Sequence, residues 1–459
     1  MAGGDMYDHS HGLFRSLVLA GLWLALAGGP LPAATAELED PGLELLARRI
    51  PVGGALRIVG VPLSDPEAAS TLELERFRVF KPGARIVVHS APGVEVRGAD
   101  GRAFFRGTVA GDPTSLALVS VSESGGLRGW IAARGQRFAI APDEGDPRAA
   151  PRVRKLDLSA DAGDPSADRF CAAGELPEIS AISPRPSRVG AGVERQEYAV
   201  DIAVDSDWEY YSLFGSVEAA TDHAADLIAA ASAIYQRDVS THLQINLLIL
   251  WTTPDDPWTV TGDLFAALYE FGDYWHTNHA DTERTLAHLL SGKPGLTGGI
   301  GWGGVLCSPD IFVDGHWAGG YALSGALTSF GPFRDVFIFS HELGHNFDSR
   351  HTHCYNDMPL PGDPPIDECY SGDVAGGHVC YVGATSVPPD GGSIMSYCHL
   401  QPGGYGNINL WLGRAGSFGI RSERVPEKML AHVQSVDCLP PVPGIIFADG
   451  FESGDTSAW

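Results

Sequence analysis

Residues 197–292 switch repeatedly between two kinds of hydrophobic pattern. "EYAVDIAVDSD" (197–207) alternates apolar and polar positions, and "THLQINLLILW" (241–251) continues into a short apolar run, as strands do. Between and after them, "SVEAATDHAADLIAAASAIYQRD" (216–238) and "GDLFAALYEFGDYWHTNH" (262–279) space their apolar residues at helical intervals. "RTLAHLLSG" (284–292) predicts a third strand. Strands alternating with long helices imply an α/β layer on a twisted sheet. The glycine-rich "GGIGWGGVLC" (298–307) fits a strand or a loop, and glycine within a strand marks a place where another backbone comes close. Past residue 352 the pattern becomes loop-rich.

Upstream, "RIVVHS" (85–90), "FFRGTVAG" (104–111), "SLALVSVS" (115–122) and "RGWIAARGQRFAIAP" (128–142) are short β-rich segments separated by Gly, Pro and Asp, predicting a small β domain. Residues 143–195 read as an exposed linker, with Arg185, Arg188 and Arg195 as candidate cleavage points. At the N-terminus, Arg15, the apolar run 16–29 and the small residues Ala34 and Ala36 around Thr35 predict an export signal cleaved after Ala36. The run is shorter than the roughly 20 apolar residues of a membrane-spanning helix, which disfavours an anchor. The mature protein is thus expected outside the cell, with no membrane span. "LPPVPG" (439–444) is a proline spacer before an acidic–aromatic tail.

Composition narrows the function further. The net charge of −26 argues against nucleic acid as a partner, because phosphate binding wants concentrated Lys and Arg. Seven cysteines suit an oxidising compartment. Cys307, Cys354, Cys369, Cys380, Cys398 and Cys438 can form three bridges whose connectivity the sequence leaves open, and Cys171 stands apart.

The chemistry concentrates at "HELGHNFDSRH" (341–351). His341 and His345, four apart on a predicted helix, project from one face, where both imidazoles can reach one Zn²⁺. Glu342 lies beside them, placed to take a proton from a water that zinc has acidified. His351 can be a third ligand only if the chain bends sharply after His345. Asp348 lies in that bend, and aspartate is among the residues that tolerate the left-handed conformation a bend requires. His353 is a competing donor close by. A zinc protease with a downstream glutamate as third ligand is the enzymatic rival, and His351 argues against it. A non-catalytic, zinc-stabilised extracellular binding module is the rival outside enzymes, and Glu342 argues against it, since a closed structural site has no use for a base.

"HELGHNFDSRH" together with "SIMSY" (393–397) resembles the metzincin zinc endopeptidases, closest to the reprolysin/adamalysin-like (M12B-type) branch of secreted bacterial proteins. Asp348 and Thr352 depart from that pattern, where the branch carries Gly and Asp. The resemblance implies one catalytic Zn²⁺ held by His341, His345 and His351, Glu342 as base, and Met395 as the Met-turn beneath the histidines; calcium sites do not follow from the residues. Tyr397 carries two readings, an oxyanion-stabilising group near zinc or a packed core tyrosine. Residues 104–131 resemble the branch's propeptide, and 298–307 lies where its substrate-binding edge strand runs. Cys171, in "DRFCAAGELP", is either the zymogen thiolate that closes the metal's open position or a free or intermolecularly bridged cysteine. The implied organisation is a signal peptide over 1–36 and a propeptide of β-rich domain plus linker over 37–190. An α/β (α+β) catalytic domain with a twisted mixed sheet and a zinc-site helix follows over 191–440, and a tail over 441–459. The implied partners are protein or peptide substrates and the chain's own propeptide as inhibitor.

Overall fold

The computed structural model describes residues 33–63, 69–142, 150–158, 171, 173, 176–177, 196–328, 332–375 and 377–439. Upstream of residue 196 these form β1 (Ala34–Glu37), α1 (Leu43–Arg49), β2 (Ala55–Val61), β3 (Ser70–Phe77), β4 (Phe80–Ser90), β5 (Gly93–Gly98), β6 (Ala103–Val109), β7 (Asp112–Val121), β8 (Leu127–Ala133), β9 (Gln136–Ala141) and β10 (Arg152–Lys155). Downstream come β11 (Tyr198–Ser206), α2 (Trp208–Phe214), α3 (Val217–Val239), β12 (Thr241–Trp251), α4 (Leu264–Asn278), β13 (Leu286–Leu290) and β14 (Gly298–Gly301). After them lie β15 (Ile311–Val313), β16 (His316–Ala318), β17 (Tyr321–Gly325), α5 (Pro332–Asn346) and α6 (Arg424–Ser435).

The central layer is a seven-stranded mixed sheet in the order β14-β17-β13-β11-β12-β4-β5. Its inner strands run parallel, and the two outermost pairings, β14 on β17 and β5 on β4, are antiparallel. The α/β expectation therefore holds, with a difference at the far edge. Strands β4 and β5 come from the region read as a separate β domain, so a boundary at residue 190 does not separate two sheets. The remaining upstream strands form a second sheet, β1-β2-β3-β6-β7-β8-β9-β10. Strand alternation makes that sheet a shared layer. Leu116 and Leu118 of β7 join the core that also contains the apolar residues of α3 and the central sheet, whereas Ala117, Val119 and Val121 face a separate core with Leu56, Ile58 and Leu72.

Local chemistry explains the helix boundaries. Ser216 caps α3 by accepting from the Ala219 amide at 3.1 Å, and Asp263 caps α4 through the Ala266 amide at 3.1 Å. The side-chain oxygen of Asp207 accepts from the Tyr210 amide at 2.6 Å and starts α2, a short helix the periodicity did not predict, which Gly215 ends at φ +68°. Part of the stretch read as linker is ordered as β10, paired with β9. Ala36, after which signal cleavage was expected, is buried within β1, so that cut would sever a paired strand. The apolar run 16–29, Arg185, Arg188, Arg195 and the tail after Leu439 lie outside the described residues. No described helix is long and apolar enough to cross a membrane.

Candidate metal centre

Helix α5 is buried all round, with Val336, Phe337, Ile338, Phe339 and Leu343 in the core, so its polar residues also sit inside. It ends in a Schellman turn: the Ser349 amide donates to Gly344 O at 3.0 Å and the Asp348 amide to His345 O at 2.8 Å. Asp348 takes the left-handed conformation, φ +70°. The aspartate thus does the glycine's job, and the chain doubles back so that His351 rejoins the face it had left.

The three imidazoles converge. Ring centroids are 5.0 Å apart for His341 and His345, 5.2 Å for His341 and His351, and 4.8 Å for His345 and His351. Each ring is fixed by its outer nitrogen. His341 Nδ1 lies 2.7 Å from Ile394 O and His345 Nδ1 2.9 Å from Ser349 O; a carbonyl only accepts, so both Nδ1 atoms carry the proton. His351 Nδ1 lies 3.2 Å from the Asp373 carboxylate. The Nε2 atoms therefore carry lone pairs and face the cluster, where His345 Nε2 meets Cys171 Sγ at 3.3 Å and His351 Nε2 meets Tyr397 Oη at 3.1 Å. Burial and the neighbouring imidazoles keep the rings neutral: His341 is pushed well below the usual histidine range and His345 down to about 3.

Glu342 is fully buried beside them, and burial pushes its carboxyl well above the usual carboxylate range. The glycines of β14 explain how it fits. A Cβ at Gly299 would lie 2.7 Å from Glu342 Cδ, and one at Gly301 2.7 Å from Glu342 O, so what comes close to this backbone is the histidine helix. Only 298–301 of the expected edge segment is a strand. Beyond it the Gly304 amide donates to His345 O at 2.9 Å, covering the end of α5.

Cys171 is buried, unbridged and inside the cluster. Its Sγ lies 3.2 Å from Glu342 Oε2 and 3.3 Å from His345 Nε2, and its backbone pairs in parallel with Gly299 on the free edge of β14. Burial first, and then the Glu342 carboxylate, push the thiol well above its usual range. Tyr397 Oη donates to Cys171 O at 2.8 Å and lies 3.1 Å from His351 Nε2. Met395 is buried under α5; a Cβ on Gly344 would sit 3.0 Å from Met395 Cε and closer still to its sulfur. The Thr352 amide donates to Met395 O at 3.0 Å, tying the Met-turn to the residue after His351. His353 turns away, with Nε2 3.1 Å from Asp373. The six clustered cysteines pair as Cys307–Cys438, Cys354–Cys380 and Cys369–Cys398.

Sequence reasoning missed Asp373, whose single Oδ2 bridges His351 and His353. It stands far from the histidine motif, on a loop that the Cys354–Cys380 bridge draws in, and no spacing announces it. It missed equally the carbonyls of Ser349 and Ile394.

Three neutral Nε2 donors and one thiol, all within 4.8 Å of one another, form a nitrogen–sulfur set of the kind Zn²⁺ takes. A reprolysin-type family model, described as Metallo-peptidase family M12, matches residues 196–410. Those residues are a reprolysin-type M12 metallopeptidase domain. The M12 family implies a zinc ion, and the donor set fits it. Among solved structures, the metalloproteinase-II from Bacteroides fragilis is similar at 13% identity and a TM-score of 0.38, covering 72% of this chain and 92% of that one. No curated protein matches the chain. The match spans β11 to Leu410, so it contains α5, the bend at Asp348, His351 and the Met-turn, and leaves β4, β5 and Cys171 outside it.

Proposed function

We propose that the protein is an exported zinc endopeptidase made as a zymogen, hydrolysing internal peptide bonds of protein substrates. The observation that carries the reading is the convergence of three Nε2 atoms, the Glu342 carboxyl and the Cys171 thiol at one buried point. His341, His345 and His351 would hold the ion, and Asp373 and the carbonyls of Ile394 and Ser349 orient them. Zinc, when bound, supplies Lewis acidity that acidifies water and polarises a scissile carbonyl. Glu342 accepts the proton of the attacking water and returns it to the leaving amine nitrogen.

Latency follows from Cys171. Its sulfur is a better zinc donor than water, and it sits against the atoms that would otherwise handle water. Glu342 Oε2, which faces the thiol, is the base that takes its proton when the thiolate forms. Tyr397 holds the carbonyl of Cys171 in this state and stands beside His351, where it can face an oxyanion once the segment has left. Disulfides suit a protein that works outside the reducing cytosol.

Casein zymography of the secreted protein tests the reading. Activity should require zinc and disappear with a chelator, Glu342→Gln should keep zinc but lose hydrolysis, and Cys171→Ser should be active without processing. A Glu342→Gln chain that cuts casein at the native rate would sink the mechanism, and unchanged latency in Cys171→Ser would sink the switch.

A further inference from the structure

We propose that residues 33–158 stay bound to the M12 domain as a non-covalent subunit after the chain is cut between Cys171 and β11, so that only the Cys171 segment has to leave for the site to open. The two attachments of the upstream chain differ in kind. Cys171 is held by one bridge to Gly299, by its thiol at Glu342 and His345, and by Tyr397 at its carbonyl. Cys171 and Leu176 also touch the core, but residues 33–158 are in addition built into the domain's sheet through a full strand.

Strand β4 pairs in parallel with β12 from Leu247–Arg85 to Trp251–His89. The pairing is extended at both ends by Ile245 N–H to Val79 O at 2.7 Å and Thr252 N–H to His89 O at 2.9 Å. The His89 ring stacks on Trp251 at 3.8 Å. Withdrawing the hairpin would leave β12 as an unpaired edge, which folded proteins avoid exposing. It would also uncover the core that Ile86, Val88, Phe104, Leu116, Leu118 and Trp130 share with α3 and the central sheet.

Charge reinforces the contact. Arg102, its side chain 3% exposed, places Nε 2.7 Å from Asp222 Oδ1 of α3, and Arg128 Nη2 reaches the other oxygen at 2.8 Å. Lys81 Nζ pairs with Asp201 at 2.6 Å. Arg137 Nη2 donates to Ile408 O at 3.1 Å and to Asn409 Oδ1 at 3.2 Å, on the far side of the domain sequence. These cations face the carboxylates of α3 and β11, so the contact is complementary where the two parts meet. The upstream region is in this sense part of the enzyme's fold, and the inhibitor is the linker it carries.

The cut belongs to the zymogen reading, whereas the binding does not, so the test uses the full chain carrying Glu342→Gln and a specific protease site inserted between Arg188 and Arg195. After cutting, size-exclusion chromatography in native buffer should give one peak containing both fragments, separable only in denaturant. Hydrogen exchange at the Ile245 and Thr252 amides should match the uncut chain. Fragments that elute apart in native buffer overturn the proposal, whether or not the C-terminal fragment then stays folded. So does exchange of those two amides at the rate of an unpaired strand. Neither readout depends on catalysis, so loss of the protease reading and loss of this one remain distinguishable.

Discussion

Asp348 stands in the left-handed bend after α5, and its carboxylate is ion-paired with Lys428 of α6. A glycine at this position would relax the backbone by about 1 kcal/mol but forfeit the tie between bend and helix. The pair is part-exposed, so its contribution is about 0–1 kcal/mol. Asp348→Gly should therefore change stability by no more than about 1 kcal/mol, and zinc content should stay at one ion per chain. Asp348→Val, β-branched and unable to pair, should lose about 2 kcal/mol and bind zinc less well, because the bend aims His351. Urea unfolding with metal analysis separates the two; an Asp348→Val chain that matches the native one would show that the bend is not what positions His351.

Asp373 lies behind His351, its Oδ2 shared between His351 Nδ1 and His353 Nε2, and the two imidazoles hold its carboxyl well below the usual carboxylate range. Carboxylates in this position orient the ligand and raise its basicity, and their loss typically costs 10- to 100-fold in metal affinity. In a Cys171→Ser background, Asp373→Asn should weaken zinc binding by about that factor in a chelator competition. His353→Ala, which removes only the second partner, should weaken it less. Equal affinities for all three chains would mean that His351 is oriented by the bend alone.

These two residues mark how far the sequence could be read. The histidine face, the glutamate and the left-handed tolerance of Asp348 follow from spacing and residue chemistry, because they are local to one helix and one turn. The long strands and helices between β11 and β13 were legible for the same reason. What stayed hidden is non-local. Asp373 reaches His351 through a disulfide loop. Strand β4 has the composition of its own β-rich surroundings and gives no sign that it will pair with β12. Helix α2 is too short for its periodicity to stand out, and only its Asp207 cap and Gly215 end would have betrayed it.

The glycines of β14 yield a sharper test of catalysis. A methyl group at position 299 would meet Glu342 Cδ and Leu323 O, both at 2.7 Å, and the second is backbone that cannot swing aside. Glu342 must then move. A displacement on the order of 1 Å can cost about 100-fold in rate. Gly299→Ala in the processed enzyme should thus lower kcat/KM by about 100-fold while leaving zinc stoichiometry intact. Gly303→Ala, with nothing within 4 Å of the added Cβ, is the matched control and should stay near the native rate. If both variants behave alike, crowding at Glu342 is not what the glycine prevents.

His288 provides a pH dependence away from the metal cluster. It is fully buried on β13, with Nε2 2.8 Å from Ser324 Oγ and its ring against Phe339, and burial pushes it down to about 3. In the unfolded chain it titrates near the ordinary histidine value of about 6.5. Between those values the unfolded chain takes up a proton that the native one refuses, so stability is full above the upper value and is lost as pH falls through the window. At pH 5 the loss from this residue alone amounts to about 2 kcal/mol. His288→Gln cannot titrate there. Its deficit relative to the native chain, measured by urea unfolding at pH 7.5 and pH 5, should shrink by about that amount at the lower pH. Other buried histidines and any zinc released by acid affect both chains alike and cancel in the difference. A deficit that stays constant between the two pH values would place the His288 titration in the native protein near its unfolded value, and the ring within reach of water.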